Sequence, residues 1–476
     1  MNLSSMVDGE WIAGSGPEIV NRNPARPQEV VASYREVACD LVDLAADAAA
    51  RSAMGWRRTS VHQRAAVLDG AGDLLARRRE DLGRELSQEE GKPLREGIAE
   101  VDRAARIFRY YAAEADRDVG AVFASARPSE RVYTRQVPVG PVALVTPWNF
   151  PIAIPAWKLA PALVYGNTVV WKPSPVTPKL AVRLSEVLLE AGLPDGVLNV
   201  VLGGADTARR LLERPTIRAC SFTGSTAVGR SVVASAARRG LKVQAEMGGI
   251  NVAVVMADAD LDVAAQAIVQ GAMGSTGQKC TATSRVLVDG AVHGELLERI
   301  VAGCRALRVG DPLDADTDLG PVATPGQLQT IRAALDDVGG GRSRVLLDGD
   351  PARDPSAGYF VGPSIIDDAD GRHRVSAEEV FGPVVAVTPV HGRDAAFAEV
   401  NAGEFGLSAS VFTTDLATAE LAPECLDVGV LHINSETTGA EPHVPFGGMK
   451  ASGWGGREQG RAARDFYTET RTVYVS

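Results

Sequence analysis

The sequence predicts an α/β protein organised around a doubly wound parallel sheet, and three observations carry that prediction. From residue 140 onward, short and nearly continuous apolar runs alternate with helix-like stretches. A mostly helical region precedes them, over residues 36 to 117. Strands of two-faced pattern occur only near 131–139 and at the C-terminal end. Buried parallel strands read as unbroken apolar runs, whereas a half-exposed antiparallel strand alternates.

The elements follow in order. Val37, Leu41, Leu44 and Ala48 recur at helical spacing, and so do Ala65, Leu68, Ala71 and Leu75. Val132-Tyr133-Thr134-Arg135-Gln136-Val137 alternates apolar and polar residues, which places this strand outside the main sheet. The apolar runs are Val142–Val145, Thr168–Trp171, Val197–Val201, Ala219–Phe222 and Val243–Ala245, each about 20 to 30 residues from the next. Ligands of such a sheet bind beyond the carboxyl ends of its strands. A second alternation begins at Val252–Val255, continues at Arg285–Val288 and runs to about residue 450. Gly339-Gly340-Gly341 reads as a loop, and Arg471–Val475 as an edge or exchanged strand.

Composition narrows the function class. The 476 residues are 45% hydrophobic and 23% charged, which fits a globular chain and excludes a disordered one. That length allows about three domains of roughly 150 residues each. A net charge of -11 with no run of like charges argues against nucleic-acid or anionic-membrane partners. No stretch approaches the roughly 18 to 20 apolar residues a membrane helix needs. The first residues lack a signal-peptide pattern, so a cytoplasmic protein is expected. Five cysteines without a CxxC pair suit a reducing compartment, and six histidines without ligand spacing give no reason to expect a metal.

Several segments could carry chemistry. Phe222-Thr223-Gly224-Ser225-Thr226-Ala227-Val228-Gly229 leaves a strand and enters a helix, a place where backbone N–H groups can meet phosphate. A plain Ser/Thr helix cap explains the same residues. Cys39, Cys220, Cys304 and Cys425 lie in apolar segments and read as packing. Cys280 ends the polar run Gly274–Lys279, with a cation beside it that could favour thiolate. Glu246 ends a strand before Met247-Gly248-Gly249, well placed for general base work. Asn149, in Pro147-Trp148-Asn149-Phe150-Pro151, could donate to an oxyanion, although a rigid turn around a buried Trp accounts for that run equally.

Together with Trp171-Lys172-Pro173-Ser174, Glu378-Glu379-Val380-Phe381-Gly382-Pro383 and Pro445–Lys450, these segments resemble the NAD(P)-dependent aldehyde dehydrogenase superfamily over essentially the whole chain. The resemblance implies a Rossmann-like cofactor domain (1–118 and 139–248), an α/β catalytic domain (249–450) and a small β oligomerisation element (119–138 and 451–476). It implies Cys280 as nucleophile, Asn149 and the Cys280 N–H as oxyanion donors, and Glu246 as the base that hydrolyses a thioester. Lys158 and Glu458 match proton-relay positions. Trp148, Lys172, Ser174, Gly224, Ser225, Gly229, Met247, Glu379 and Phe381 match cofactor-binding ones, and a homodimer or homotetramer is implied.

Two departures stand out. The run after Gly249 is Ile250-Asn251-Val252 where the family has Lys-Asn-Pro or close to it, which implies a local backbone difference without lost chemistry. Pro175 stands where NAD-preferring members often carry Glu, so NADP as well as NAD is expected to be used, with NADP tolerated or preferred. The runs around Cys280, His443 and Glu458 look like the α-ketoglutaric semialdehyde dehydrogenase subgroup. Phe150 and Trp157 suggest an apolar entrance that also suits medium aliphatic or aromatic aldehydes, and no cation for a substrate carboxylate can be placed. The competing classes are a cysteine hydrolase or acyltransferase without redox chemistry and a binding protein that keeps only the fold; intact Cys280, Glu246 and Asn149 argue against the latter.

Overall fold

The apolar runs become the strands of the first sheet. In a computed structural model, which describes residues 1–117, 120–336, 343–349, 358–371 and 373–476, five parallel strands form at Val142–Val145, Val169–Lys172, Leu198–Val200, Ala219–Thr223 and Lys242–Glu246. Val142–Val145 lies at the centre; the next two strands extend to one side and the last two to the other. The chain therefore reverses direction between Val142–Val145 and Ala219–Thr223, and the crevice beyond their carboxyl ends is where such a sheet binds ligand. Three short antiparallel strands extend the edges: Ser5–Val7 and Glu10–Ile12 beyond Leu198–Val200, and Gly453–Trp454 beyond Lys242–Glu246. At two or three residues each, they are too short to show a period in sequence.

The region before residue 117 is helical, with helices at Cys39–Arg58, Val61–Arg77, Arg79–Glu90 and Leu94–Ala112. Ala65, Leu68, Ala71 and Leu75 are all buried. Leu44 is not: the buried arc of its helix runs through Leu41, Val42, Ala45, Ala46, Ala48 and Ala49, and Leu44 falls just outside it, 53% exposed. Cys39 and Cys425, expected in the packing, are also exposed, because they are the first and last residues of their helices; Cys220 and Cys304 are buried. Every residue of the Ala153–Val164 helix is buried, so Lys158 on it points into the protein.

The second sheet runs Ser343–Leu347, Ser364–Asp368, Val384–Val390, Thr283–Asp289, Asn251–Val255, Ser408–Phe412, Val430–Ile433, parallel except for Ser343–Leu347. Arg131–Pro138 leaves both large sheets and pairs antiparallel with Thr468–Val475 and Val122–Phe123. The C-terminal segment divides: Gly453–Trp454 joins the first sheet and the Ala462–Tyr467 helix buries Ala463, Phe466 and Tyr467 in its core, so of 451–476 the part that reaches the small sheet is Thr468–Val475. Gly339–Gly341 lies outside the described residues.

Candidate active site

The turn after Val142–Val145 and the turn after Ala219–Thr223 face each other across the crevice, around a cavity of about 260 Å³. Trp148, Asn149, Gly224, Ser225, Met247, Cys280, Glu379 and Phe381 line it. Trp148 is half-buried, not a buried turn residue, and meets Phe381 edge to face at 5.5 Å. Gly229 does not line the cavity; a Cβ there would fall 2.4 Å from Met247 Sδ, so this glycine lets the Thr226–Arg238 helix approach Met247.

Ser225 occupies the helix cap position without its hydroxyl bonding back to the helix. The first N–H groups of that helix have no partner within it. The Thr223 and Thr226 hydroxyls are buried without hydrogen bonds. Unpaired donors at a helix N-terminus fit a pyrophosphate. Lys172 ends the strand on the other side of Val142–Val145, 7% exposed, and burial lowers its ammonium to a pKa of about 8. Ser174 is buried and its hydroxyl accepts from the Val176 N–H. Pro175 leaves this corner without the usual carboxylate, yet it does not lack one. Glu36, half-buried, arrives from the N-terminal segment, its Oε1 3.2 Å from where a Gly204 Cβ would stand, and its charge supports the Lys172 ammonium. Donor-rich turn, lysine and acceptor together fit a dinucleotide.

Cys280 follows a strained turn in which Ser275, Thr276 and Gly277 all have positive φ, near +53°, +54° and +69°. A side chain at Gly277 would collide with the Gly382 carbonyl, and Glu96 holds the turn by accepting from the Ser275 N–H and hydroxyl at 3.2 and 2.5 Å. Asn251 Nδ2 donates to the Cys280 and Ala282 carbonyls at 2.8 Å each, and Asn149 Nδ2 donates to the Gln278 carbonyl at 2.9 Å. The thiol is pushed up to about 12, first by burial and then by the Glu379 and Glu246 carboxylates. Lys279 does not offset this: burial lowers its own pKa, and its ammonium stands against Gly274, 2.8 Å from where a Cβ there would lie.

Glu246 ends its strand 3% exposed, and its Oε2 accepts from the Gly448 N–H at 2.9 Å. Burial and the neighbouring Glu458 charge raise its carboxyl well above the usual range. Behind it, Lys158 Nζ hydrogen-bonds Glu458 and donates to Ser221 Oγ at 2.7 Å, while Ser221 Oγ donates to Glu458 Oε1 at 3.1 Å. All three are buried, and Glu458 Oε2 has no partner. A perturbed carboxylate backed by a chain of buried proton carriers is suited to base catalysis.

The family model described as "Aldehyde dehydrogenase family" matches residues 11–473. The chain belongs to the aldehyde dehydrogenase family. It is 41% identical to an alpha-ketoglutarate semialdehyde dehydrogenase of Haloferax volcanii, over 99% of this chain and 98% of that one. It is 38% identical to an alpha-ketoglutaric semialdehyde dehydrogenase of Bacillus subtilis, over 99% and 97%. The solved NAD-dependent aldehyde dehydrogenase of Sinorhizobium meliloti superposes with a TM-score of 0.96 at 34% identity, covering 100% of this chain and 95% of that one. The protein is an aldehyde dehydrogenase that works with a nicotinamide dinucleotide.

As an aldehyde dehydrogenase it carries residues that its motifs did not announce. Lys92 and Glu100, each 1% exposed at the side chain, pair at 2.7 Å. Lys92 Nζ also donates to the Asn149 carbonyl at 2.8 Å, and Glu100 Oε1 accepts from the Ile152 and Ala153 N–H groups at 2.9 and 3.1 Å. This pair sets the loop that carries Asn149. Removing one partner strands a buried charge, so Glu100→Ala is expected to cost about 3–5 kcal/mol, read as a lowered Tm, and Glu100→Gln less because its amide oxygen still accepts. Ser221 and Gln244 did leave a signal, as polar residues at alternate positions of otherwise apolar strands. The substrate side is mixed: Phe150 lies under Lys92 Nζ at 4.0 Å and Trp157 packs on Phe446 at 5.7 Å, while His443 is exposed, turned to Glu441, and outside the Cys280 cavity. No helix among the described residues is long and apolar enough to cross a membrane.

Proposed function

We propose that the chain oxidises α-ketoglutaric semialdehyde to the corresponding dicarboxylate with Cys280 as nucleophile. The observation that carries this is that Cys280 and the Asn149 amide line one cavity, with the buried Glu246 carboxylate, next to the cavity-lining Met247, acting on the sulfur. Cys280 gives its thiol proton to solvent, the thiolate adds to the aldehyde carbon, and the oxygen, now negative, faces the Asn149 amide and the Cys280 N–H. A nicotinamide dinucleotide held in the crevice would accept the hydride from this carbon, and loss of that hydride leaves a thioester on Cys280. Glu246 takes a proton from water as the water attacks the thioester, and Cys280 departs as thiolate. Lys158, Ser221 and Glu458 carry the proton onward.

The semialdehyde is supported by the names of the Haloferax and Bacillus relatives. Comparing kcat/KM for α-ketoglutaric semialdehyde, hexanal and benzaldehyde, with NAD and NADP in parallel, tests it; equal or higher values for hexanal or benzaldehyde would move the assignment to apolar aldehydes. Failure to accumulate reduced cofactor with any aldehyde would favour a hydrolase.

Gly224, Ser225 and the Thr226 helix are assigned to the pyrophosphate, Lys172 and Ser174 to the adenosine end, and Glu379 to the nicotinamide ribose. Glu36 is assigned to the adenosine ribose hydroxyls, where its charge opposes a 2′-phosphate. Two like charges near 5 Å at the protein surface repel by about 1–3 kcal/mol after screening. Glu36→Gln is therefore expected to raise the kcat/KM ratio of NADP to NAD about tenfold or more, and to tighten binding of 2′,5′-ADP relative to 5′-AMP by a similar factor in calorimetry. An unchanged ratio in both measurements would remove Glu36 from this role.

The domains are assigned as in the family, with the Arg131–Pro138 and Thr468–Val475 sheet as the oligomerisation element. Thr468–Val475 is an edge strand, and Val122, Phe123 and Tyr474 on this sheet are exposed, the pattern of a surface covered in a homodimer or homotetramer. The five free cysteines fit a cytoplasmic site of action.

A further inference from the structure

We propose that Arg103 is the cation that receives the remote carboxylate of the substrate. This rests on the semialdehyde reading above. Arg103 lies one turn beyond Glu100 on the Leu94–Ala112 helix, on the same side. Lys92 and Arg103, both cations of this region, are used differently. Lys92 is neutralised by Glu100, and Glu100 is further saturated by two backbone N–H groups. Among the described residues Arg103 forms no ion pair; one of its terminal nitrogens donates to the Ala440 carbonyl, and its Nε is buried with no partner.

A second orphaned donor stands beside it. The guanidinium lies 5.9 Å from the centre of the Trp157 ring, and Trp157 Nε1 is also buried and unpaired. Buried donors are almost always satisfied, and two adjacent donors with no acceptor ask for an anion. Arg offers planar bidentate geometry to a carboxylate, and the Trp157 and Phe446 rings shield the contact from water. The charged groups in range are Glu100, already engaged, Arg106, and Glu441, which is exposed and turned to His443.

The position suits the chemistry. Arg103 meets the site through Trp157, which shares its helix with the cavity-lining Ile154, and through Phe446, two residues before the Gly448 N–H that bonds Glu246. In 2,5-dioxopentanoate four carbon–carbon bonds of about 1.5 Å separate aldehyde from carboxylate, a span of roughly 5 Å when extended. An ω-oxo acid of this length can reach from the sulfur toward the guanidinium, whereas a neutral aldehyde leaves both donors orphaned. The cation that the sequence could not place is thus on a helix before the first sheet, far in sequence from every motif.

The test compares Arg103→Met and Arg103→Lys with the wild type on α-ketoglutaric semialdehyde and hexanal. Hydrogen bonds to a charged group are worth enough that Met should lower the semialdehyde-to-hexanal ratio of kcat/KM about 10- to 100-fold. The loss should appear mainly in KM for the semialdehyde, and Lys should restore part of it. A wild-type ratio near one overturns the substrate reading; a high wild-type ratio that survives in Arg103→Met overturns the role of Arg103 alone. Should Arg103→Met not fold, wild-type protein decides: glutarate should slow carbamidomethylation of Cys280 by iodoacetamide and neutral 1,5-pentanediol should not, and equal protection by both, or by neither, overturns the proposal.

Discussion

Cys280→Ala is expected to lower aldehyde oxidation by about 10⁴-fold or more, because no other group can form the covalent adduct. The four other thiols cannot substitute. Cys220 and Cys304 are buried in the cores, and burial pushes their pKa values up to about 12; Cys39 and Cys425 sit at helix ends, outside the crevice. Dinucleotide affinity should survive, since the groups that fit the pyrophosphate and adenosine belong to the first sheet. Any esterase activity should be lost together with the dehydrogenase, as both use the same sulfur. A variant that kept appreciable turnover, measured as growth of reduced-cofactor absorbance, would exclude Cys280 as nucleophile. The free enzyme should also be slow to alkylate at neutral pH. Its thiol, near 12, becomes more reactive as pH rises, and carboxymethylation followed by mass spectrometry reads this directly.

Much of the fold was legible because its strands are buried on both faces. Val142–Val145, Val169–Lys172 and Ala219–Thr223 have no water-facing side, so their sequences are apolar throughout and mark themselves. Arg131–Pro138 was equally readable for the opposite reason, since one of its faces is exposed. The edge strands Ser5–Val7 and Gly453–Trp454 were not, because register with a distant partner, and not local pattern, makes them strands. In the site, several cavity-lining residues, such as Asn149, Cys280 and Glu379, lie within motifs, whereas the residues that act on them from a distance left no local signal. Glu36, Lys92, Glu100 and Arg103 all precede Val142–Val145 in sequence and meet the site's elements only through tertiary packing. Lys279 differs for a related reason: adjacency in sequence put a cation beside Cys280, while in the fold burial and the Glu379 and Glu246 carboxylates dominate the sulfur.

Those carboxylates set the second large effect. Glu246→Gln keeps the size of the side chain and cannot take a proton from water, so hydrolysis of the thioester should slow by about 10²- to 10⁴-fold. Formation of the thioester takes no proton from the attacking water and draws on the thiolate that proton loss to solvent supplies, so rapid mixing should still show a burst near one equivalent of reduced cofactor per active site, followed by a much slower steady rate. Loss of the burst together with the steady rate would assign Glu246 to an earlier step. The pH dependence carries an independent sign. The base form of Glu246 exists above its pKa, which burial and the Glu458 charge raise well above the carboxylate range. Steady-state kcat of the wild type should therefore fall as pH drops through that raised value, and the fall should vanish in Glu246→Gln. Glu458→Gln removes a negative neighbour and should move the limb to lower pH. Lys158→Met removes a positive one and should move it to higher pH, although both variants also interrupt the relay and lower kcat. Opposite displacements from two residues that hydrogen-bond each other would separate electrostatic tuning of Glu246 from general damage to the site, since damage alone predicts no direction.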